Sequence, residues 1–386
     1  MGEGKFLSTG ALTVARREGM MSSEVIQAQI DEFIAQSRKL TGQEVRERSP
    51  WNTLVTADAI RHFAYGISDD NPLWLDPAYA AQSRYGRLVA PPAFLTSVLY
   101  PILHGAPMAV PLSSLIGGVE YRWFHPILEG ERLQATSRQV DLYEKKSRTG
   151  RRLIFIISEA TYRNQRGEVV GQAIGTMIRA TQVGTELLFD RDIYRYSEAE
   201  LAEIGKAQQT ETRTGARLLT GKEVEIGQEL PPLVRGPLTI GDMICWQAAI
   251  GPSYRAGSLG YRDCLQAPHT AVKNPLTGWP VKYSQQHEDF HLAAQRGMPA
   301  PFDNGVMRFA WVSPLLTNWM GDNGFLQRLY VQIKAPNLYG DTTWYRGTVT
   351  AKEEGEDGTR VKIQISGTNQ LGVLTTSGEA EVLLPA

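Results

Sequence analysis

An internal repeat constrains the fold of this 386-residue chain more than any other feature of its sequence. The segment WFHPILEGERLQATSRQV, which contains Gly130, matches the segment QIKAPNLYGDTTWYRGTV, which contains Gly340. The two glycines are 210 positions apart, and an Ala-Pro pair and an Asn-Gln turn segment recur at nearly the same offset. A near-constant offset over separated landmarks predicts two copies of one fold, each of about 170 residues.

Both copies of the repeat show the same order of elements. An apolar helical stretch comes first, PPAFLTSVLYPIL in one half and GVMRFAWVSPLLTNWM in the other. Alternating segments rich in Val, Ile, Thr and Tyr follow, for example RLIFIISEATYRN and RVKIQISGTNQ. Alternation with a period of two, interrupted by turn residues, predicts antiparallel strands with one covered face. The sequence therefore predicts an α+β protein with two antiparallel sheets, each wrapped around a central helix.

The repeat also predicts the domain organisation. We expect a disordered N-terminal arm at residues 1–21, a first domain at 22–184, a linker at 185–218 and a second domain at 219–386. The middle of the linker is charged and helix-forming, and its end is rich in Thr, Arg and Gly. An inserted loop at about 252–286 interrupts the second domain, and insertions of this kind commonly shape binding sites.

Composition argues against several classes of function. Forty basic and 41 acidic residues give a net charge of −1, which argues against a nucleic-acid partner. No stretch approaches the roughly 20 apolar residues of a membrane span, and the first residues lack the apolar block of a secretory signal. Cys245 and Cys264 fit neither a zinc site nor a disulfide framework. We therefore expect a cytoplasmic protein that has no metal site and no nucleic-acid or membrane partner.

The segment SDDNPLWLDPAYA, followed by APPAFL and then by HPILEGERL, resembles the MaoC-like dehydratases, the hydratase-2 branch of the hot-dog fold. The resemblance covers the chain from about residue 22 to the end as a tandem double hot dog. In that family an Asp, a spacer, Asn-Pro, a spacer and a His form the catalytic loop, and the Asp and His bind a water. The resemblance implies that water is added across the double bond of an enoyl thioester, or removed in the reverse reaction.

The first half keeps the acid of this motif and lacks its base. By the resemblance, Asp69 corresponds to the catalytic Asp and Asn71 to the Asn of the loop, whereas Trp74 replaces the histidine. An indole cannot accept a proton at neutral pH, so this half cannot carry out the family's reaction alone. We expect Asn71 and Trp74 to contact substrate or to hold the loop, with Trp74 at the mouth of the pocket.

The second half keeps the base and lacks the acid. The segment HEDFHLAAQRG places Asp289 and the small residues that follow it at the family's distances after His287. His287 is therefore our candidate for the general base. Lys282 stands at the position where the family has the Asp, and the inserted loop separates the motif from the helix that should lead into it.

Three hypotheses account for the divided motif. In the first, His287 acts with an acid or phenol from the insertion or from beside the central helix. The candidates for that group are Asp263, Tyr261 and Asp303. In the second, Asp69 and His287 act together, although equivalent loops of a pseudo-twofold pair usually lie apart. In the third, both sites are degenerate, and the chain binds an acyl thioester without turning it over.

Further candidates for substrate binding are Tyr254 in the insertion, Asp303, and Asn304 and Gly305 at the start of the second central helix. The backbone N–H of Gly305 is expected to donate to the thioester oxygen, where negative charge develops. Trp74, Tyr254 and Tyr261 could stack on a conjugated or aromatic acyl group.

The sequence thus predicts a hydratase or dehydratase of fatty or aromatic acyl groups. Its substrate is an acyl-CoA or an acyl-carrier thioester, and no cofactor other than coenzyme A within the substrate is expected. We also expect a homodimer or a larger homo-oligomer. The alternatives are a thioester-binding subunit that is inactive or needs a partner, and a hot-dog thioesterase.

Overall fold

The structure is a computed structural model that describes residues 23–45, 51–110, 112–147, 150–181, 191–251 and 255–386. The predicted arm at 1–21, the first residues of the predicted linker and Tyr254 lie outside the described residues.

Long strands form most of the described chain. The strands are β1 (Glu44–Val45), β2 (Leu112–Trp123), β3 (Gln134–Lys146), β4 (Arg152–Arg163), β5 (Val169–Thr181), β6 (Leu233–Arg235), β7 (Ala271–Lys273), β8 (Pro280–Lys282), β9 (Phe325–Ile333), β10 (Thr343–Gly355), β11 (Gly358–Asn369) and β12 (Leu374–Leu384). Within the described residues, ten of them form one antiparallel sheet in the order β1-β3-β4-β5-β2-β9-β12-β11-β10-β6, and β7 pairs with β8.

The prediction of two separate sheets is wrong, because the two halves share one continuous sheet. Strand β2 of the first half pairs antiparallel with β9 of the second, with Gly118 opposite Gln332 and Arg122 opposite Arg328. The pairing gives each of these strands a partner for backbone N–H and C=O groups that would otherwise form an open edge. Each half still contributes its own antiparallel meander, β2–β5 and β9–β12, as the repeat predicts.

Helices lie on and beside this sheet. The described α-helices are α1 (Ser23–Lys39), α2 (Ala57–Gly66), α3 (Pro72–Leu75), α4 (Pro77–Gln82), α5 (Leu95–Val98), α6 (Glu198–Gln209), α7 (Ile240–Ile250), α8 (Gly257–Gln266), α9 (Phe290–Gln295) and α10 (Gly305–Met320). Short 3₁₀ turns span Pro92–Phe94, Gly221–Glu223, Pro268–Thr270 and Tyr283–His287. In this part of the chain, no helix is long and apolar enough to cross a membrane.

Only the second half has a complete central helix. Helix α10 runs for 16 residues and is almost entirely buried, whereas in the first half a 3₁₀ turn and the four-residue α5 end at Leu99, which is extended (φ −152°, ψ 124°). Pro101 disfavours helical backbone at Tyr100 and supplies no N–H. Residues 99–110 therefore leave the helical path, and they line a large cavity beside the sheet.

Packing joins the two halves in the core. The ring of Phe309 on α10 stacks on Tyr121 of β2, with the ring centroids 4.8 Å apart. Helix α2 lies directly against α7, since a Cβ added to Gly66 would be 2.3 Å from the Cβ of Ala249. Equivalent helices of the two copies thus pack on each other, and the loops that follow them start from a common point.

The predicted linker and insertion both have regular structure. The linker contains α6, which starts with a capping box between Ser197 and Glu200. Before α6, Arg191 pairs with Asp341, and the Tyr196 hydroxyl donates to the Gly340 carbonyl at 2.8 Å, so this segment is attached to the second half. The described part of the insertion contains α8 and the β7–β8 hairpin, and it leads into the turn that holds His287.

Candidate active site

The two halves build the same loop around different side chains. At the start of α4 the carboxylate of Asp76 accepts a backbone N–H bond at 2.8 Å, and at the start of α9 Asp289 accepts one at the same distance. Trp74 stands two residues before Asp76, and His287 stands two residues before Asp289. His287 therefore occupies the position equivalent to Trp74, as the spacing of the sequence indicates.

In the first half, Trp74 closes the site. Asp69 is buried, and its carboxylate accepts the Trp74 indole N–H at 2.9 Å and the Asn71 backbone N–H at 3.2 Å. Burial raises the pKa of Asp69 above its usual range, although these two bonds and the nearby Arg235 oppose the shift. The acid of the motif is thus bonded to a group that cannot act as a base.

The first half also has little room for a substrate, and its helical turn starts with a proline. The cavity beside Asn71 and Trp74 measures about 40 Å³, whereas ligand sites usually span several hundred. The side chain of Asn71 is used locally, because its oxygen accepts the Leu73 N–H at 3.0 Å. The helical turn of this half starts at Pro92, which has no backbone N–H to offer.

In the second half, a hydrogen bond to the backbone fixes the orientation of the His287 ring. Its buried ring lies with Nδ1 2.7 Å from the Phe302 carbonyl oxygen. Since a carbonyl oxygen can only accept, Nδ1 carries the proton and Nε2 keeps its lone pair. Burial lowers the pKa of His287 below its usual value, so the ring is neutral at neutral pH. No described residue hydrogen-bonds to Nε2.

His287 lines a cavity of about 740 Å³ between the two halves. The cavity walls come from β2 and β5 of the first half, from residues 99–110, from the insertion and from the start of α10. This volume lies in the range of cavities that hold small ligands and cofactors. The space exists on the side where the first central helix ends early.

The start of α10 contributes to the same cavity. Asn304 lines it and caps the helix, because its side-chain oxygen accepts the Val306 N–H at 3.0 Å and the Tyr100 hydroxyl at 2.6 Å. The backbone N–H of Gly305 has no hydrogen-bond partner among the described residues. A Cβ on Gly305 would lie 2.8 Å from the Cβ of Ile116, so glycine lets the helix start close against β2.

Asp303 is engaged in the core. Its carboxylate pairs with the buried Arg308, with 2.7 Å between Oδ2 and Nε, and it also accepts the Asn337 N–H at 3.1 Å. An acid held by a permanent cation and a backbone donor positions the loop after His287.

The two candidate residues in the insertion lie outside the wall of the cavity that His287 lines. Asp263 pairs with Arg255 at 2.8 Å, and this pairing lowers its pKa. Tyr261 is exposed and packs on Trp279, with the ring centroids 4.9 Å apart. Neither residue lines the 740 Å³ cavity, and Asp69 does not line it either. His287 and Asn304 therefore share the cavity wall, and Gly305 follows Asn304 as the first residue of α10. Asp69, Asp263, Tyr261 and Asp303 are not among the wall residues.

Other residues of the cavity wall were not singled out from the sequence. Lys282, at the position of the family's Asp, lines the cavity, as do Tyr100, Tyr283, Arg179 and Arg296. No Asp or Glu among the described residues lines it. The signal for Lys282 was its spacing from His287. Arg296 lies within the motif segment HEDFHLAAQRG, but at a position that the motif does not specify, and the other three lie in segments without a motif. In the same described residues, no group of three His, Cys, Asp or Glu side chains could hold a metal ion.

Sequence comparison matches the chain to a dehydratase family model and to UPF0336 proteins. The family model for the FAS1-like, dehydratase domain region matches residues 39–173. A UPF0336 protein of Thermobifida fusca is 32% identical over 116 residues, which cover 27% of this chain and 70% of the relative. A UPF0336 protein of Streptomyces avermitilis is 25% identical over 157 residues, which cover 39% of this chain and all of the relative.

Structure comparison shows the fold over nearly the whole chain. A MaoC-like dehydratase superposes with a TM-score of 0.62 and 15% identity, covering 91% of this chain and 100% of that one. A Mycobacterium tuberculosis protein described as a double hotdog fold gives a TM-score of 0.54 and 11% identity, covering 90% of this chain and 98% of that one. The resemblance to a tandem double hot dog of the MaoC-like type is thereby confirmed.

Proposed function

The chain belongs to the UPF0336 family, and from that premise we propose that it hydrates or dehydrates an acyl thioester at a single working site in its second half. One observation carries the proposal. A neutral imidazole with a free Nε2 lines a cavity of about 740 Å³ that also receives the start of a long helix. The reaction requires a base, room for the substrate and a backbone donor for the charge that develops on the thioester oxygen.

In the hydration direction, Nε2 of His287 takes a proton from water while the water oxygen bonds to the β-carbon of the enoyl thioester. The double-bond electrons move toward the thioester oxygen, where the Gly305 N–H at the positive end of α10 stabilises the charge. The imidazolium then returns its proton to the α-carbon, which completes the addition of one water. The dehydration direction reverses these steps.

Lys282 supports a modified mechanism. The family's Asp holds the water, and the equivalent position here carries a side chain with N–H donors and no acceptor. We assign Lys282 to orienting the water oxygen by donation, and His287 to all proton transfer. The substrate carries its own coenzyme A or acyl-carrier group, and no separate cofactor is invoked.

The activity assay follows loss of enoyl absorbance over short, branched and aromatic enoyl-CoA substrates. We expect turnover by the wild type and a decrease in kcat/KM of roughly 10²- to 10⁴-fold for His287→Ala. The control variant is His291→Ala, because His291 is exposed and lies one helical turn away. Full activity in His287→Ala would refute the assigned base.

A partner-dependent thioester-binding subunit is the second candidate. It is favoured by the absence of any Asp or Glu among the described residues of the cavity wall. Such a protein would bind a saturated acyl-CoA and would show no turnover until a second chain supplied an acid. A thioesterase would instead release free thiol, which a thiol reagent detects in the same assay, and it would need a carboxylate or similar group near the thioester carbonyl.

A further inference from the structure

The wall of the large cavity contains basic side chains and no described Asp or Glu. The basic residues are Arg179, Arg296 and Lys282, and of these Lys282 acts electrostatically on Asp263 outside the wall. Elsewhere the fold pairs its buried arginines with carboxylates, as in Arg308 with Asp303 and Arg235 with Glu211 at 2.5 Å. An enclosed cation without a partner is unfavourable, so the cavity arginines need a different explanation.

Arg179 is built into the cavity wall. It lies on β5 two residues after Met177, so the two side chains share the cavity face of the strand. Its guanidinium lies over the ring of Phe33, 5.3 Å from the centroid, and its buried Nε has no hydrogen-bond partner among the described residues. Burial lowers the pKa of Arg179, yet an arginine stays protonated in proteins.

Arg296 approaches from the second half. It follows α9, and its guanidinium lies over the ring of Tyr283, 5.5 Å from the centroid. Arg296 and Arg179 both line the cavity, and the positive charge of Arg296 contributes, after burial, to the lowered pKa of Arg179. His104 lines the same cavity, with its side chain exposed. One side of the cavity thus concentrates N–H donors and positive potential.

We infer that Arg179 and Arg296 together bind a second anionic group of the ligand, a carboxylate or a phosphate, while His287 acts on the thioester end. Two planar guanidinium forks match the paired oxygens of such a group and would lose their mutual repulsion on binding it. The inference rests on the proposed function for the location of the thioester. The anion belongs either to the acyl chain, as in a dicarboxylic acyl thioester, or to the phosphates of the carrier.

The test measures binding of saturated thioesters by calorimetry, so it does not depend on turnover. Glutaryl-CoA has an anion on both acyl chain and carrier, butyryl-CoA on the carrier only, and butyryl-pantetheine on neither. The variants are Arg179→Gln and Arg296→Gln. Arg346→Gln, at an exposed arginine on β10, is the matched control.

If the bound anion is the acyl carboxylate, we expect Kd for glutaryl-CoA to rise by about 10- to 100-fold in both cavity variants. Kd for the other two ligands should then stay unchanged. If the bound anion is a phosphate of the carrier, Kd should rise by the same factor for glutaryl-CoA and butyryl-CoA and stay unchanged for butyryl-pantetheine. An equal change for all three ligands, or no change for any, would overturn the anion site. The control variant should match the wild type throughout.

The anion site can be tested separately if the proposed function fails. If no thioester binds, that function fails, and the anion site is tested with glutarate and with pyrophosphate alone by thermal unfolding. A rise in Tm of the wild type that both cavity variants lose supports the site, and no rise in the wild type overturns it. Without anion, Arg179→Gln should fold at least as stably as the wild type, because it removes an unpaired enclosed charge.

Discussion

The two catalytic-loop regions share a backbone plan and differ in what their side chains allow. Trp74 and His287 occupy equivalent positions, each ahead of an Asp that caps a short helix. In the first half, the indole is bonded to Asp69, the cavity is small and the helical turn begins with Pro92. In the second half, the imidazole keeps a free nitrogen in a large cavity. Retention of a motif residue therefore does not by itself indicate a working site, since Asp69 is retained where the site is closed.

The strongest way to break this contrast is to remove the candidate backbone donor of the second half. Gly305→Pro removes the backbone N–H at the start of α10, and proline is tolerated at a first helical position. We expect kcat to decrease by roughly 10²- to 10³-fold, the usual effect of losing one oxyanion donor. Gly305→Ala is the matched control, because it adds the same Cβ near Ile116 and keeps the N–H. Equal kinetics for the two variants would remove Gly305 from the mechanism.

The pH dependence of kcat/KM should reflect the lowered pKa of the buried His287. Burial lowers the pKa of His287, so kcat/KM should stay level near neutral pH and decrease as the pH falls through a value below about 6.5. Below that inflection the decrease should approach tenfold per pH unit. An inflection above 6.5 would contradict the burial of the catalytic imidazole.

Protonation of His287 should also lower the free energy of unfolding. The unfolded state binds the His287 proton more readily, so the free energy of unfolding decreases as the pH falls from about 6.5 through the folded pKa. Above that window this contribution is constant. Denaturant unfolding of the wild type and of His287→Gln measures it, and the variant should lack this part of the pH dependence.

In the first half the expected effects are structural. Trp74→Phe removes the indole donor from the buried Asp69, which should lower the free energy of unfolding by about 1 to 3 kcal/mol. Turnover should change little, since Asp69 does not line the cavity of His287. Urea unfolding and kcat/KM of the same preparation test both parts, and a large loss of turnover at unchanged stability would assign catalysis to the first half.

The smallest effect is expected from restoring the missing histidine. Trp74→His in a His287→Ala background recreates the family's spacing with Asp69, yet Pro92 supplies no N–H and the cavity of about 40 Å³ leaves little room. We expect turnover to remain at the level of His287→Ala. Recovery of activity would show that the first half lacks only its base.

Much of this arrangement follows from local sequence patterns. The repeat and the alternating segments predict the two meanders, and the spacing around His287 predicts its equivalence with Trp74. These features depend on neighbouring residues and on fixed periods.

The remaining features depend on contacts between distant segments. The pairing of β2 with β9 joins two strands whose alternation is the same whether they form edges or neighbours. The isolation of Asp263 and Asp303 arises from Arg255 and Arg308, whose positions near those acids are set by tertiary packing. Arg179 follows the strand period, but no sequence rule indicates that it remains unpaired in a cavity.

The most direct test of a single working site compares kcat/KM of Asp69→Asn and His287→Gln on one enoyl thioester that the wild type turns over. Both variants replace a buried motif residue with a neutral amide, so circular dichroism and Tm verify comparable folding. We expect activity within about twofold of the wild type for Asp69→Asn and a loss of at least about 10²-fold for His287→Gln. Equal losses would show that the two loops act together, and a loss confined to Asp69→Asn would place the chemistry in the first half.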